Sequence, residues 1–75
     1  MNIKTERALV EAFAERWQAV YEARAARDYA KVSEECRCID AMRSTLDTMG
    51  VEWGCIESSG YSMALSRCGG EAVAL

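Results

Sequence analysis

The chain has 75 residues, 51% of them hydrophobic and 28% charged, and its 12 acidic and 9 basic side chains leave a net charge of −3. These values predict a single globular domain over residues 1–75 and exclude a disordered chain, because enough apolar side chains are present to form a core. The slight acidic excess also argues against nucleic acid as a partner, since proteins that bind phosphate backbones carry a basic patch.

The cellular location expected from the sequence is the cytoplasm. Residues 1–7 carry charges where a secretory signal needs an apolar segment. The longest run without a charge, residues 58–66, is far shorter than the ~20 apolar residues of a membrane span. We therefore expect no membrane partner, and the reducing cytoplasm favours free thiols over disulfides.

The first predicted element is a helix from Lys4 to about Arg27. Glycine is absent before Gly50 and proline is absent throughout, while strong helix formers dominate this part of the chain. One face about 120° wide collects the apolar side chains Leu9, Val10, Phe13, Trp17, Val20 and Tyr21. The opposite face carries an acidic ridge of Glu11, Glu15 and Glu22. That ridge is either an ordinary solvated face or a docking surface for a basic partner.

A second helix is predicted over residues 29–49, with Asp28 as its N-cap and Gly50 as the left-handed residue that ends it. Its apolar stripe consists of Tyr29, Val32, Cys36, Ile39, Met42, Leu46 and Met49. The short connection predicts that the two helices lie antiparallel. The expected core of this helical hairpin is Phe13, Trp17, Val32, Ile39 and Leu46.

After Gly50 the pattern indicates a β-hairpin over residues 51–67. Apolar residues alternate with polar or small ones on both sides of Ser58-Ser59-Gly60, which resembles a three-residue hairpin loop. One face of the hairpin would carry Val51, Trp53, Cys55, Tyr61, Met63 and Leu65, and the other would include Ile56. The predicted fold class is therefore α+β in the order ααββ, with a flexible tail over residues 68–75.

No residue set predicts catalysis or a cofactor. The chain contains no histidine and no glycine-rich loop that opens a helix, so a common general base and a common phosphate cradle are both missing. The adjacent carboxylates Glu34 and Glu35 diverge by about 100° on a helix. We therefore expect a protein that is not an enzyme.

The four cysteines offer an alternative, a zinc-stabilised binder of nucleic acid or protein. Cys36 and Cys38 form a C-x-C pair, which on a helix directs the two thiols about 200° apart rather than into one zinc knuckle. Cys55 and Cys68 are separated by twelve residues and form no second knuckle. The interpretation preferred here has no metal, with Cys36 and Cys55 in the core and Cys38 and Cys68 on the surface.

The function expected from these features is protein binding by surface complementarity, as an adaptor subunit or as a phage or mobile-element inhibitor that occludes a host protein. The candidate binding residues, beside the acidic ridge, are Arg43, Trp53, Tyr61, Met63 and Leu65. The last four could equally belong to the core of so short a chain. Arg43 lies within the apolar stripe of the second helix and would pair with Asp47 or with a carboxylate of a partner chain. A two-fold dimer through the hairpin and the exposed helical faces is also expected.

Overall fold

The computed structural model describes residues 2–69, which form three helices: α1 (Ile3–Ala25), α2 (Tyr29–Thr48) and α3 (Gly54–Arg67). None of these residues lies in a strand, so the predicted α+β fold with a β-hairpin over residues 51–67 is wrong. The β-hairpin through which two copies were expected to pair is therefore absent from these residues. Of the predicted tail over residues 68–75, only Cys68 and Gly69 lie within the described residues.

The helical hairpin of α1 and α2 is confirmed, and so are the two caps predicted for α2. Asn2 begins α1 by accepting a hydrogen bond from the Thr5 N–H at 2.9 Å, and Asp28 begins α2 by accepting one from the Lys31 N–H at 3.1 Å. Gly50 ends α2 with a φ of 74°. The Val51 N–H donates to the Leu46 carbonyl at 2.9 Å, which completes a Schellman motif.

The end of α1 uses the same motif with a less suitable residue. The Asp28 N–H donates to the Ala23 carbonyl at 2.8 Å, and Arg27 occupies the left-handed position with a φ of 57°. A residue with a Cβ atom is strained in this conformation. The tight turn between α1 and α2 is therefore formed at some cost in backbone energy.

Helix α3 forms because its buried positions repeat with a helical period, which the alternation of Tyr61, Met63 and Leu65 conceals. Ile56, Gly60 and Ala64 are buried and lie four residues apart. Gly60 is inside the helix and not in a hairpin loop. A Cβ atom at position 60 would lie 2.7 Å from the Phe13 Cβ and 2.8 Å from the Val10 carbonyl oxygen, so glycine is required by the close approach of α1 and α3.

The central element of the fold is α1, which packs against both other helices. Arg16 of α1 pairs with Glu35 of α2, as the antiparallel hairpin requires. Helix α3 runs alongside α1 in the same direction, since Ile56 and Glu6 line one pocket and Tyr61 contacts Tyr21 farther along. No Cα atom of α2 lies within 8 Å of a Cα atom of α3. Side chains alone therefore connect α2 to α3 across the bundle.

The core lies along α1 and differs in part from the predicted one. Its buried cluster consists of Phe13, Val20, Ile39, Leu46 and Ile56. Trp17 and Val32 pack against this cluster but stay partly exposed, and Ile56 is buried although the hairpin placed it on the polar face. Tyr29 and Met49 were expected on the buried stripe of the second helix. They are exposed, because they lie at the two ends of α2, beyond its packed middle.

Candidate protein-binding groove

The first polar site in the structure is an ion pair between α2 and α3. The Arg43 Nε donates to Glu57 Oε1 at 2.8 Å and its Nη2 donates to Oε2 at 2.5 Å, while Nη1 reaches Asp40 at 2.9 Å. The Trp17 indole N–H also donates to Glu57 Oε2, at 3.1 Å. Two-point pairing of a guanidinium with a carboxylate is among the stronger hydrogen-bonded arrangements in proteins.

Mutual hydrogen bonds and opposite charge hold this pair in its ionised form, against the effect of burial. Hydrogen bonds from Arg43 lower the pKa of Glu57, although burial of the carboxylate acts in the opposite direction. Hydrogen bonds to Glu57 correspondingly raise the pKa of Arg43. A carboxylate with a lowered pKa is a poor general base near neutral pH, and both of its oxygens already accept hydrogen bonds. The arrangement is suited to joining two helices, not to proton transfer.

Aromatic rings surround the ion pair. The Arg43 guanidinium lies 5.4 Å from the Trp53 ring centroid, and the Trp53 indole N–H donates to Asp47 at 2.6 Å. The Tyr61 ring meets Trp17 edge to face at a centroid distance of 5.1 Å. The Trp53 contacts thus join α2 to the residue that precedes α3, and the Trp17–Tyr61 contact joins α1 to α3.

Arg43, Trp53 and Tyr61 were predicted as residues that bind a partner, and the structure brings all three together at this one place. The carboxylates that pair with Arg43 are Glu57 and Asp40 of the same chain, and Asp47 accepts from Trp53 instead. The expected pairing of Arg43 with Asp47 is therefore replaced by another. Each member of the cluster already has a polar or aromatic partner within the chain, so the cluster leaves little for a ligand to satisfy.

The other predicted binding residues are dispersed. Met63 lies beside Val10 and Glu11 near the start of α1, and Leu65 is half-buried later in α3. In the acidic ridge, Glu11 accepts a hydrogen bond from Arg67 at 2.6 Å, and Glu22 accepts one from Gln18 at 3.2 Å. Glu15 is exposed. The ridge is thus partly engaged within the chain.

A second buried carboxylate joins α1 to α2. Glu35 is only 3% exposed, and it pairs with Arg16 at 2.8 Å and with Lys31 at 3.3 Å. Two cations around one buried carboxylate compensate for its removal from water. Arg16 lies two helical turns beyond Leu9, and Glu35 lies two turns before Met42. This ion cluster therefore lies about two helical turns from the apolar groove that Leu9 and Met42 line.

The α1/α2 groove is an apolar concavity with a volume of about 590 Å³. It lies between the first turns of α1 and the second half of α2, and no residue of α3 lines it. Its lining consists of Thr5, Leu9, Ala41, Met42, Thr45, Leu46, Met49 and Val51. None of these side chains carries a charge. Leu46 is buried at 5% exposure, whereas Met49 is 67% exposed.

Some of the residues that line this groove could be recognised from the sequence. Met42 and Met49 were placed on the apolar stripe of the second helix. Leu9 was assigned to the buried face of the first helix, and Val51 to a strand. Ala41, Thr45 and Thr5 were missed. Small side chains give no signal in the sequence, and only the packing of α1 against α2 places them beside Met42 and Met49. The spacing of Ala41, Thr45 and Met49 at four-residue intervals was the available indication.

The cysteines are not grouped into a site. Cys36 and Cys38 are half-buried on α2, Cys55 is exposed at the start of α3 and not in the core as predicted, and Cys68 is half-buried at its end. Among residues 2–69, no three side chains of the metal-binding types come together in a way that could hold a metal ion. The four-cysteine zinc alternative gains no support from this arrangement.

Comparison with known proteins adds no relative to this description. No protein-family model, curated protein or solved structure matches the chain. Within the described residues, none of the three helices is both long and apolar enough to cross a membrane.

Proposed function

We propose that this chain is a small, non-catalytic protein-binding module whose α1/α2 groove accepts an amphipathic helix of a partner protein. The observation that carries the proposal is the uncharged, surface-open groove, with Met49 protruding at its edge and Leu46 at its floor. Apolar surface left open in this way is typical of interaction sites in small proteins. Methionine side chains are also common at surfaces that adapt to a helix.

The groove dimensions favour a helix as the bound element. Along α2 the lining runs from Ala41 to Met49, which at 1.5 Å per residue is about 12 Å, or roughly two helical turns. The walls are helices, whose backbone hydrogen bonds are already made, so they offer no free edge to an extended strand. A partner helix would present apolar residues at positions i, i+3 or i+4, and i+7.

The polar atoms of the groove are compatible with an apolar partner. The Thr45 hydroxyl donates to the Ala41 carbonyl at 2.9 Å, so it does not require a new acceptor when water is excluded. The absence of charge among the lining residues removes the largest cost of covering the groove. An apolar helix face therefore fits this surface better than a charged one.

As part of the proposal we place the module in the cytoplasm, where its four thiols stay reduced. It would act as an adaptor subunit or as an inhibitor that occludes another protein, as the sequence suggested. The Arg43 and Glu57 cluster then has a supporting role, since it holds α3 against the face of α1 that the groove does not use.

The test is capture of partners by three tagged forms of the chain: the native form, Met49→Lys and Tyr29→Lys. Met49 is 67% exposed and Tyr29 is 62% exposed, but only Met49 lines the groove. We expect one identified partner to bind the native and Tyr29→Lys forms and to be lost from Met49→Lys. Partners that bind all three forms equally would contradict a role for the groove.

A further inference from the structure

We propose that the helix bound in the α1/α2 groove is α2 of a second copy of this chain, which docks antiparallel about a two-fold axis at Thr45. The inference rests on the proposed function, because it names the partner of that groove. In such a pair, residues equally spaced before and after Thr45 lie opposite each other. The sequence of α2 can therefore be tested for self-complementarity.

The sizes of the opposed side chains are complementary. Met49 lies four residues after Thr45 and Ala41 lies four residues before it, so each copy places its protruding methionine opposite the small alanine of the other. Met42 and Thr48, three residues before and after Thr45, form a second large and small pair. All of these except the half-buried Met42 are exposed in a single chain. Alternation of large and small residues allows two helices to interdigitate closely.

Charge also permits this pairing. The groove lining contains no charged residue, so no like charges meet at its centre even though each chain carries a net charge of −3. Near the ends, Arg37 lies eight residues before Thr45 and Glu52 lies seven residues after it, and both are exposed. Glu52 lies beyond the end of α2 at Thr48, so the antiparallel direction is set by the side-chain sizes of Ala41 and Met49, and these two charges do not oppose it.

The resulting assembly is a four-helix bundle made from α1 and α2 of two copies. Each α2 would lie over the groove between α1 and α2 of the other copy, covering Leu9, Leu46 and Met49. Helix α3 packs on another face of α1 and lines no part of the groove, so it does not obstruct the approach. A closed two-fold pair also leaves neither groove open.

The test is a charge exchange read by sedimentation equilibrium from low micromolar to high micromolar concentration. The native chain should reach twice the 8.3 kDa mass of one chain. Ala41→Glu and Met49→Lys should each remain monomeric, because each places two uncompensated charges in the paired groove. The double variant Ala41→Glu/Met49→Lys should dimerise again, since the carboxylate introduced at position 41 of each copy then lies opposite the ammonium group introduced at position 49 of the other. Circular dichroism melts check that all four forms fold.

The outcomes separate this inference from the proposed function. A native chain that stays monomeric at every concentration overturns the self-pairing, while a groove-dependent partner found by capture would still support the binding module. A native dimer that persists in both single variants also overturns the inference, because the dimer would then use another surface. Monomeric single variants without recovery in the double variant would contradict the antiparallel register about Thr45.

Discussion

Arg43 on α2 and Glu57 on α3 form a two-point ion pair that joins two helices whose Cα atoms do not come within 8 Å of each other. Replacing Arg43 with methionine leaves Glu57 a largely buried carboxylate with only the Trp17 indole as donor. We expect Arg43→Met to lower the free energy of unfolding by about 2 kcal/mol. Urea denaturation followed by circular dichroism measures this change.

The matched double variant is Arg43→Met/Glu57→Gln. A glutamine at position 57 keeps an acceptor for the Trp17 indole but carries no charge, so no ion is left without a partner. The double variant should therefore be more stable than Arg43→Met alone. If it is less stable, the loss in the single variant does not come from an unpaired carboxylate.

Acid should weaken the same link. The pKa of Glu57 is lowered in the folded chain, mainly by its hydrogen bonds from Arg43, whereas the unfolded value is about 4.3. The contribution of Glu57 is therefore fully present above about pH 4.3 and is lost as the pH falls through the lowered folded value. The free energy of unfolding, measured in urea from pH 7 to pH 2, should fall less steeply in Glu57→Gln than in the native chain.

Exposed Glu15 provides the control for this pH dependence. Glu15→Gln removes one carboxylate without touching the link between α2 and α3, so its pH profile should follow that of the native chain. If the two glutamine variants give the same profile, the acid sensitivity does not originate at Glu57.

Gly60 should not tolerate a methyl group, although alanine favours helices. The added Cβ would lie within 2.8 Å of the Val10 carbonyl oxygen and 3.0 Å of the Ala14 nitrogen, and backbone atoms cannot move aside cheaply. We expect Gly60→Ala to cost about 2 kcal/mol through overpacking. Gly54→Ala is the control, because nothing lies within 4 Å of its Cβ position, and it should be neutral or slightly stabilising. Thermal melts that rank the two variants equally would place α3 elsewhere on α1.

Arg27 offers a stabilising substitution. Its φ of 57° is strained for any residue with a Cβ atom, and glycine adopts it freely. Arg27→Gly should therefore raise the free energy of unfolding by about 1 kcal/mol. Arg27→Ala removes the same charge without relieving the strain, so it should give no gain. A gain of equal size in both variants would assign the effect to charge instead of backbone conformation.

The first two helices could be predicted from sequence because their signals are local. Asn2 and Asp28 cap the adjacent backbone, Gly50 adopts the left-handed conformation, and apolar residues repeat every three or four positions. Helix α3 could not be predicted in this way. Among its sequence neighbours, Gly60 is typical of a turn. Glycine is needed there because α3 packs closely against Val10, Phe13 and Ala14 of α1, which lie 46 to 50 positions earlier in the chain.

The candidate site could likewise be predicted only where its signals are local in the sequence. The unusual position of Arg43 was visible in the apolar stripe of α2, but its partner Glu57 was assigned to a strand, so the ion pair could not be foreseen. The apolar character of Met42 and Met49 on the same stripe was also visible. The groove itself depends on Thr5 and Leu9 of α1 lying beside them, which only the packing of α1 against α2 determines.

The most direct test of the binding groove is the rate at which peroxide oxidises individual methionines, measured by mass spectrometry. Met42 and Met49 line the groove, whereas Met63 lies near the start of α1 and serves as the internal control. Covering the groove should slow oxidation of Met42 and Met49 several-fold and leave Met63 unchanged. If a second copy is the occupant, raising the concentration of the pure chain should be sufficient. A partner of another kind would protect them only when it is added. Oxidation of Met49 at the same rate in the free chain and in every assembled form would contradict the groove as the binding site.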